Sequence, residues 1–456
     1  FSTDRNKLLI FTNTEKVWRY NTRGDYWVLD IVSGKITQIG KKLPAQSLMY
    51  AKLSPNGKLV AYGSGHNLFS EDIASGKLTQ LTFDGTRKLI NGTFDWVYEE
   101  EFGCRDGFRW NPDGTKIAYW QVDANKIRDF YMINNTDSVY SQIIPVEYPK
   151  VGEPPSPVKI GVVNVSGGKT NWMKIEGDPQ QHYITRMEWS DASTLIVQQL
   201  NRKQQESKLI YCNALSGLSK VFYAEKNDSW IENKNYWNDD DPSGWEWLDN
   251  KKSFIWVSEK DGWRHLYKVS SDGKNETLLT KGNYDILNIR CIDETNNIIY
   301  FMASPENATQ LYLYSVKMDG NSNAELLSPA DLKGWHDYAI SPNAKWARHS
   351  FSSNAVSPSK EWVSLPDHQP VNEAKSIKAT MKLSKTNQVS YTRVTTKDGV
   401  TLDAWINAPK NFDSTKKYPV VFYVYGEPGS STVEDKFGAH KNFLYKGDMS
   451  GDGYFQ

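Results

Sequence analysis

No stretch of the chain approaches the roughly 20 consecutive apolar residues that a membrane-spanning helix requires, so no such helix is expected. Cysteine is scarce as well. Cys104, Cys212 and Cys291 are far apart and odd in number, which offers neither a disulfide framework nor metal-ligand spacing. They are expected to be buried or partly buried free thiols. Neither sign of charge is in excess: Lys plus Arg and Asp plus Glu both number 54, for a formal net charge of zero. A general nucleic-acid binder would usually carry a basic surplus, so that class is set aside. Aromatic residues, in contrast, are plentiful at 13%, with 17 Trp and 25 Tyr. Such residues fit a pleated, half-buried surface and point to sheet.

At 456 residues the chain is long for one domain, and two or three are expected. It opens at Phe1, without Met, inside a strand-like run, and it stops at Gly453–Gln456 without a capping signal. It therefore reads as an internal fragment, from which a signal peptide could have been lost.

A repeating unit runs through most of the sequence. Ser54-Pro55-Asn56-Gly57, Asn111-Pro112-Asp113-Gly114 and Ser341-Pro342-Asn343-Ala344 each lead into a β-rich run. Weaker copies begin at Ser2, Ser190, Asp249 and Asp293. Proline presets φ at the second turn position, and Gly or Asn accepts positive φ. Each unit has a second half, a hairpin around Ser33-Gly34, Ser75-Gly76, Gly167-Gly168, Asp272-Gly273 or Asp319-Gly320. Four-stranded units recurring roughly every 45 to 60 residues suggest a β-propeller. About six or seven units fit between Ser2 and Pro370; a β-sandwich array is the alternative. The largest insertion, 126–158, is rich in Pro and suits an extended loop or a docking arm better than an inner strand.

From about Ser376 the rhythm changes. Residues 391–406 read as a hairpin around Asp398-Gly399, and Tyr418–Tyr425 reads as a strand buried on both faces, as in a parallel sheet. The fold class expected is thus mainly β: a multi-bladed propeller of four-stranded antiparallel blades over 1–375, then the start of an α/β-hydrolase domain over 376–456.

One stretch stands out chemically. Asp95-Trp96-Val97-Tyr98-Glu99-Glu100-Glu101-Phe102 sets three consecutive carboxylates among large apolar residues. Unpaired burial of such charges costs several kcal/mol, roughly, so the run either faces water or awaits a cation.

This stretch resembles the double-glutamate motif of the dipeptidyl peptidase IV family, in the prolyl oligopeptidase clan of serine peptidases. Trp18-Arg19, Tyr148-Pro149-Lys150-Val151-Gly152, Asp261-Gly262-Trp263-Arg264-His265 and the segment Lys417-Tyr418-Pro419 through Tyr425-Gly426-Glu427-Pro428 agree with it in order. The resemblance implies a propeller over an α/β-hydrolase domain with the active site between them. It implies that Glu100 and Glu101 bind the substrate's α-ammonium and that Arg19 helps hold that pair and a substrate carbonyl. It further implies that Tyr425 donates to the oxyanion and that the 126–158 arm takes part in homodimer formation. A peptide N-terminus, with a pKa of about 7.7–8.0, is mostly protonated at neutral pH and offers three donors to such a pair. Neighbouring residues reach one ligand only from a helical turn or an irregular loop, because strand neighbours point to opposite faces.

The chain also departs from the family pattern. Gly-x-Ser-x-Gly, the turn that carries an α/β-hydrolase nucleophile, is absent, and none of the seven His can be placed in a triad. The loop Trp230–Gly244 is long and acidic, with Asp239-Asp240-Asp241, which reads as a solvated loop and leaves the preference at the substrate's first residue open. The expected activity is release of N-terminal dipeptides with Pro, or Ala, at the second position, by the intact protein, with this fragment inactive. Prolyl tripeptidyl or acyl-aminoacyl peptidase activity, or a non-catalytic propeller that binds partners, are the alternatives. The expected partner is a peptide with a free N-terminus; no nucleic acid, cofactor or metal is expected, and the family's habits suggest a periplasmic or secreted location.

Overall fold

The repeat turns of the sequence become the links between the first two strands of successive repeat units. In the computed structural model, Gly57 N donates to the Ser54 carbonyl at 2.8 Å and Ala344 N to that of Ser341 at 2.8 Å. Gly114 N closes the Asn111 turn in the same way at 3.0 Å. The second-half turns likewise join third and fourth strands, as where Gly76 N meets the Asp72 carbonyl at 2.8 Å. The structure describes residues 1–233, 245–383, 389–409, 411–424 and 431–439.

Antiparallel sheets of this kind follow one another along the chain. A seven-stranded sheet covers 7–80, joining two repeat units through the pairing of Arg23 and Gly24 with Met49 and Leu48. A five-stranded sheet lies within 89–172, and four-stranded sheets cover 182–226, 246–278 and 286–326. A three-stranded sheet of Trp335–Ile340, Trp346–Ser353 and Val356–Ser364 follows. The mainly β expectation holds. The chain divides into two compact units, one of residues 1–247 with 270–275 and one of 248–269 with 276–456.

Within the first unit the core gathers Phe94, Tyr98, Trp120, Tyr183, Ile184 and Leu195, among others. The three cysteines are free and buried, as expected; burial pushes the Cys104 and Cys212 thiols up to about 12.

The 126–158 insertion is built around a hairpin of its own, Asp129–Asn134 against Gln142–Glu147. Pro145 lies within it, opposite Tyr131. A strand paired on one side only can spare the N–H that proline lacks.

In the second unit the hairpin expected around Asp398-Gly399 forms between Ser390–Thr395 and Thr401–Ile406, with Gly399 at φ +88°. The Tyr418 run differs from expectation. Its described residues form no strand beyond an isolated bridge at Val420, and Phe422 and Val424 are exposed. An apolar run becomes an inner strand only where neighbouring strands and helices cover it.

Candidate functional site

The glutamate run sits on an excursion from an interrupted strand in the first unit. Leu89–Asn91 and Phe108–Trp110 both pair with the same strand, Lys116–Asp123: the first at Gln121–Asp123, the second at Ile117–Tyr119. The intervening residues leave the sheet and return to it through a neck of two glycines. Gly107 N donates to the Gly92 carbonyl at 3.0 Å, Gly92 N to that of Trp120 at 2.9 Å, and Trp120 N to that of Gly107 at 3.0 Å. Gly92 has φ +75°, and a Cβ on Gly107 would lie 2.6 Å from the Gly92 carbonyl carbon. Side chains at these two positions would force the neck open.

Helix α1 (Trp96–Phe102) crowns the excursion. The Asp95 side chain caps it, accepting from Tyr98 N at 3.1 Å, and Gly103 ends it in the left-handed region at φ +64°. Ser156 Oγ, just past the arm hairpin, donates to the other Asp95 oxygen at 2.6 Å. Burial pushes the Asp95 carboxyl up, against the opposing pull of Ser156 and the Tyr98 N–H. The inner face of α1 is held by Tyr98, which is fully buried and whose hydroxyl accepts from Ile184 N at 3.1 Å. Phe94, Phe102 and Tyr183 surround its ring, with centroids 5.6–6.0 Å away.

With that face pinned, Glu100 and Glu101 point outward, exposed, in the last turn of α1. This is a costly place for carboxylates. The helix carries partial negative charge at its C-terminal end, and no basic residue of α1 lies in that turn. Compensation comes from a distant part of the sequence. Arg19 lies at the tip of the hairpin between Lys7–Val17 and Tyr20–Asp30, and its Nη2 is 2.6 Å from Glu100 Oε1. The Arg19 side chain is 70% exposed, so the pair adds little to stability, about 0–1 kcal/mol. Its value is to fix where a carboxylate points.

Glu99 is separate from this pair. It is half-buried, and Arg105 Nε lies 3.3 Å from its Oε1. The Arg105 guanidinium lies 4.0 Å from the ring centroid of Tyr20, the residue after Arg19. Burial pushes the Glu99 carboxyl up and Arg105 draws it back down. Behind Glu101, burial pushes the Tyr183 phenol up; Arg202 opposes this and the charge of Glu101 adds to it.

The arrangement offers two adjacent outward carboxylates, one oriented by a guanidinium, beside a buried aromatic wall. That chemistry suits a primary ammonium group. Of the residues read from the sequence, Arg19 and Glu100 are brought together and Glu101 follows on the same turn. Tyr425 and the acidic triplet Asp239-Asp240-Asp241 lie outside the described residues. The supports Asp95, Tyr98, Ser156 and Arg105 were missed. Asp95 was findable as a capping residue before an apolar run, whereas nothing local marks Ser156.

Residues 2–358 match the family model described as "Dipeptidyl peptidase IV (DPP IV) N-terminal region". Among curated proteins, the chain is 27% identical over 465 residues to a "Probable dipeptidyl-aminopeptidase B" of Coccidioides posadasii, covering 96% of this chain and 50% of that protein. It is 27% identical over 451 residues to "Dipeptidyl peptidase 4" of Trichophyton tonsurans, covering 95% and 56%. The chain thus spans about half the length of these relatives. Among solved structures, Porphyromonas gingivalis dipeptidyl peptidase 4 superposes with TM-score 0.86 at 24% identity, over 100% of this chain and 63% of that one. A putative dipeptidyl aminopeptidase IV from Bacteroides ovatus gives 0.75 at 21%, over 99% and 62%. These likenesses place the antiparallel sheets in the propeller fold class.

Proposed function

The chain belongs to the dipeptidyl peptidase IV family, and from that membership and the α1 site we propose that it carries substrate N-terminus recognition for a serine-type dipeptidyl peptidase. In this reading Glu100 and Glu101 accept charge-assisted hydrogen bonds from the α-ammonium of a peptide, and Arg19 orients Glu100. The observation that carries the proposal is the placement of two exposed carboxylates in the last turn of α1, with Arg19 Nη2 2.6 Å from one of them. An amine held at a fixed point sets how many residues reach the nucleophile, and so the enzyme cuts after the second residue. Pro, or Ala, is the residue proposed there, and cleavage proceeds through an acyl-enzyme.

The start of an α/β-hydrolase domain is assigned to 376–456, with Tyr425 as oxyanion donor. The Ser, Asp and His of the triad are assigned to sequence beyond Gln456, so residues 1–456 alone bind but do not cleave. The proposal is tested in the full-length protein with paired reporters: dipeptidyl-prolyl, tripeptidyl-prolyl and N-acetylated dipeptidyl-prolyl. The dipeptidyl substrate with a free amine is expected to be cleaved at least about 100-fold faster than the other two, since blocking the amine removes charged hydrogen bonds of about 1.5–3 kcal/mol each. Faster release from the tripeptidyl reporter would favour the tripeptidyl alternative, and from the acetylated one the acyl-aminoacyl alternative. Absence of all cleavage would favour a binding module.

The arm supports a homodimer. Its hairpin exposes Phe130, Tyr131, Met132, Ile133, Ile143 and Ile144, an apolar surface of the kind that marks interaction sites. Sedimentation of the full-length protein is expected to show a dimer that Ile133→Asp converts to monomer; a wild-type monomer would refute this.

A further inference from the structure

A second constellation of titratable groups lies in the other unit, far along the sequence from the glutamate run. The three-stranded sheet aligns Tyr338, His349 and Glu361 in one cross-strand row, Tyr338 opposite His349 and His349 opposite Glu361. His336 stands two residues before Tyr338, on the same face. His336 and His349 are fully buried, and Glu361 is buried.

Three contacts run through this row. His336 Nε2 is 2.8 Å from the Leu332 carbonyl, His336 Nδ1 is 2.8 Å from His349 Nε2, and His349 Nδ1 is 2.7 Å from Glu361 Oε1. Both ends of the chain, a carbonyl and a carboxylate, can only accept. Two neutral imidazoles carry one N–H each, so three contacts lack one bridging cation. Without it, two lone pairs would face each other in a buried site, and a buried hydrogen bond would go unmade.

A proton would bridge two lone pairs, but here a third converges. His368, in the loop after the third strand, brings a ring nitrogen to the same place. One atom each of His349, Glu361 and His368 lie within 4.8 Å of one another. We propose that these three residues hold a divalent transition-metal ion of zinc-like preference in place of the missing proton.

Two imidazole nitrogens and a carboxylate oxygen form the borderline donor set that zinc takes, at about 2.0–2.2 Å from each. Loading requires Glu361 and His349 to part slightly and His368 to close in. Each ligand is already oriented by a further partner, as metal ligands commonly are. His336 holds His349 Nε2, Ile377 N donates to Glu361 Oε2 at 3.0 Å, and the Tyr338 hydroxyl lies 2.8 Å from His368 Nε2. Ile377 opens the short helix α2 (Ile377–Thr380). The ion would therefore tie the last strand of the sheet, the loop that follows it and the start of α2 into one piece.

This site is absent from the sequence-based expectations, which included no metal. Its test is binding of Zn²⁺ to full-length protein stripped with EDTA and dialysed. Calorimetry and elemental analysis are expected to show one equivalent per chain, with a rise in the melting temperature. Co²⁺ in its place is expected to give the visible absorption of a four-coordinate site. His368→Gln, which leaves the buried His336–His349–Glu361 row intact, is expected to keep the fold by circular dichroism and to lose that equivalent. No stoichiometric zinc in wild type, or equal binding by His368→Gln, would overturn the proposal and leave a proton as the bridging cation.

Discussion

Replacing Glu100 and Glu101 together by alanine in the full-length protein is expected to lower kcat/KM for a dipeptidyl-prolyl substrate by on the order of 10³-fold, with the fold intact. Each carboxylate would make a charged hydrogen bond to the substrate ammonium worth about 1.5–3 kcal/mol. Two such losses amount to about 3–6 kcal/mol, and each 1.4 kcal/mol or so is tenfold. Stability should change little, because both side chains are exposed in the last turn of α1 and the helix end disfavours negative charge. The double variant should thus melt at or slightly above the wild-type temperature while losing activity. Activity on a substrate without a free α-amine should not change, which separates lost recognition from lost chemistry. Wild-type kcat/KM in the double variant would refute the assignment.

The second large effect is on stability and lies under the site. Tyr98→Ala is expected to destabilise the protein by about 3–5 kcal/mol, the range for emptying a buried aromatic position. Tyr98 is fully buried, and Phe94, Phe102 and Tyr183 pack around it. Tyr98→Phe keeps the ring but leaves the Ile184 N–H without the hydroxyl it reaches at 3.1 Å, for a cost of about 1–3 kcal/mol. Urea denaturation measures both. If Tyr98→Phe were as stable as wild type, the Ile184 contact would not be what seats the helix. The two experiments probe opposite faces of one short helix: outward carboxylates should govern binding, and the inward phenol should govern stability.

Much of the fold is legible in local chemistry. The Pro-Asn-Gly and Ser-Gly turns mark where strands reverse, and they do so in the structure because proline, glycine and asparagine restrict or permit particular φ values whatever surrounds them. The Tyr418 run marks the limit of such reading. Apolar content shows that a strand could be buried, but burial depends on neighbours, and Phe422 and Val424 are exposed here.

The glutamate run shows the same division. From the sequence alone came the three adjacent carboxylates, the resemblance that singles out Glu100, Glu101 and Arg19, and the requirement for a helical turn or irregular loop. Only the tertiary structure showed α1 as an excursion between two halves of one strand, closed by Gly92 and Gly107. Only there does Arg19 reach Glu100 across 81 positions, and only there is Glu99 set apart by Arg105. The histidine row carries this furthest. His336, His349, Glu361 and His368 show no motif along the chain, and strand register alone lines up the first three. Turn geometry is set by the residues of the turn, so sequence determines it; the meeting of distant side chains is set by strand pairing and packing, which no local segment contains.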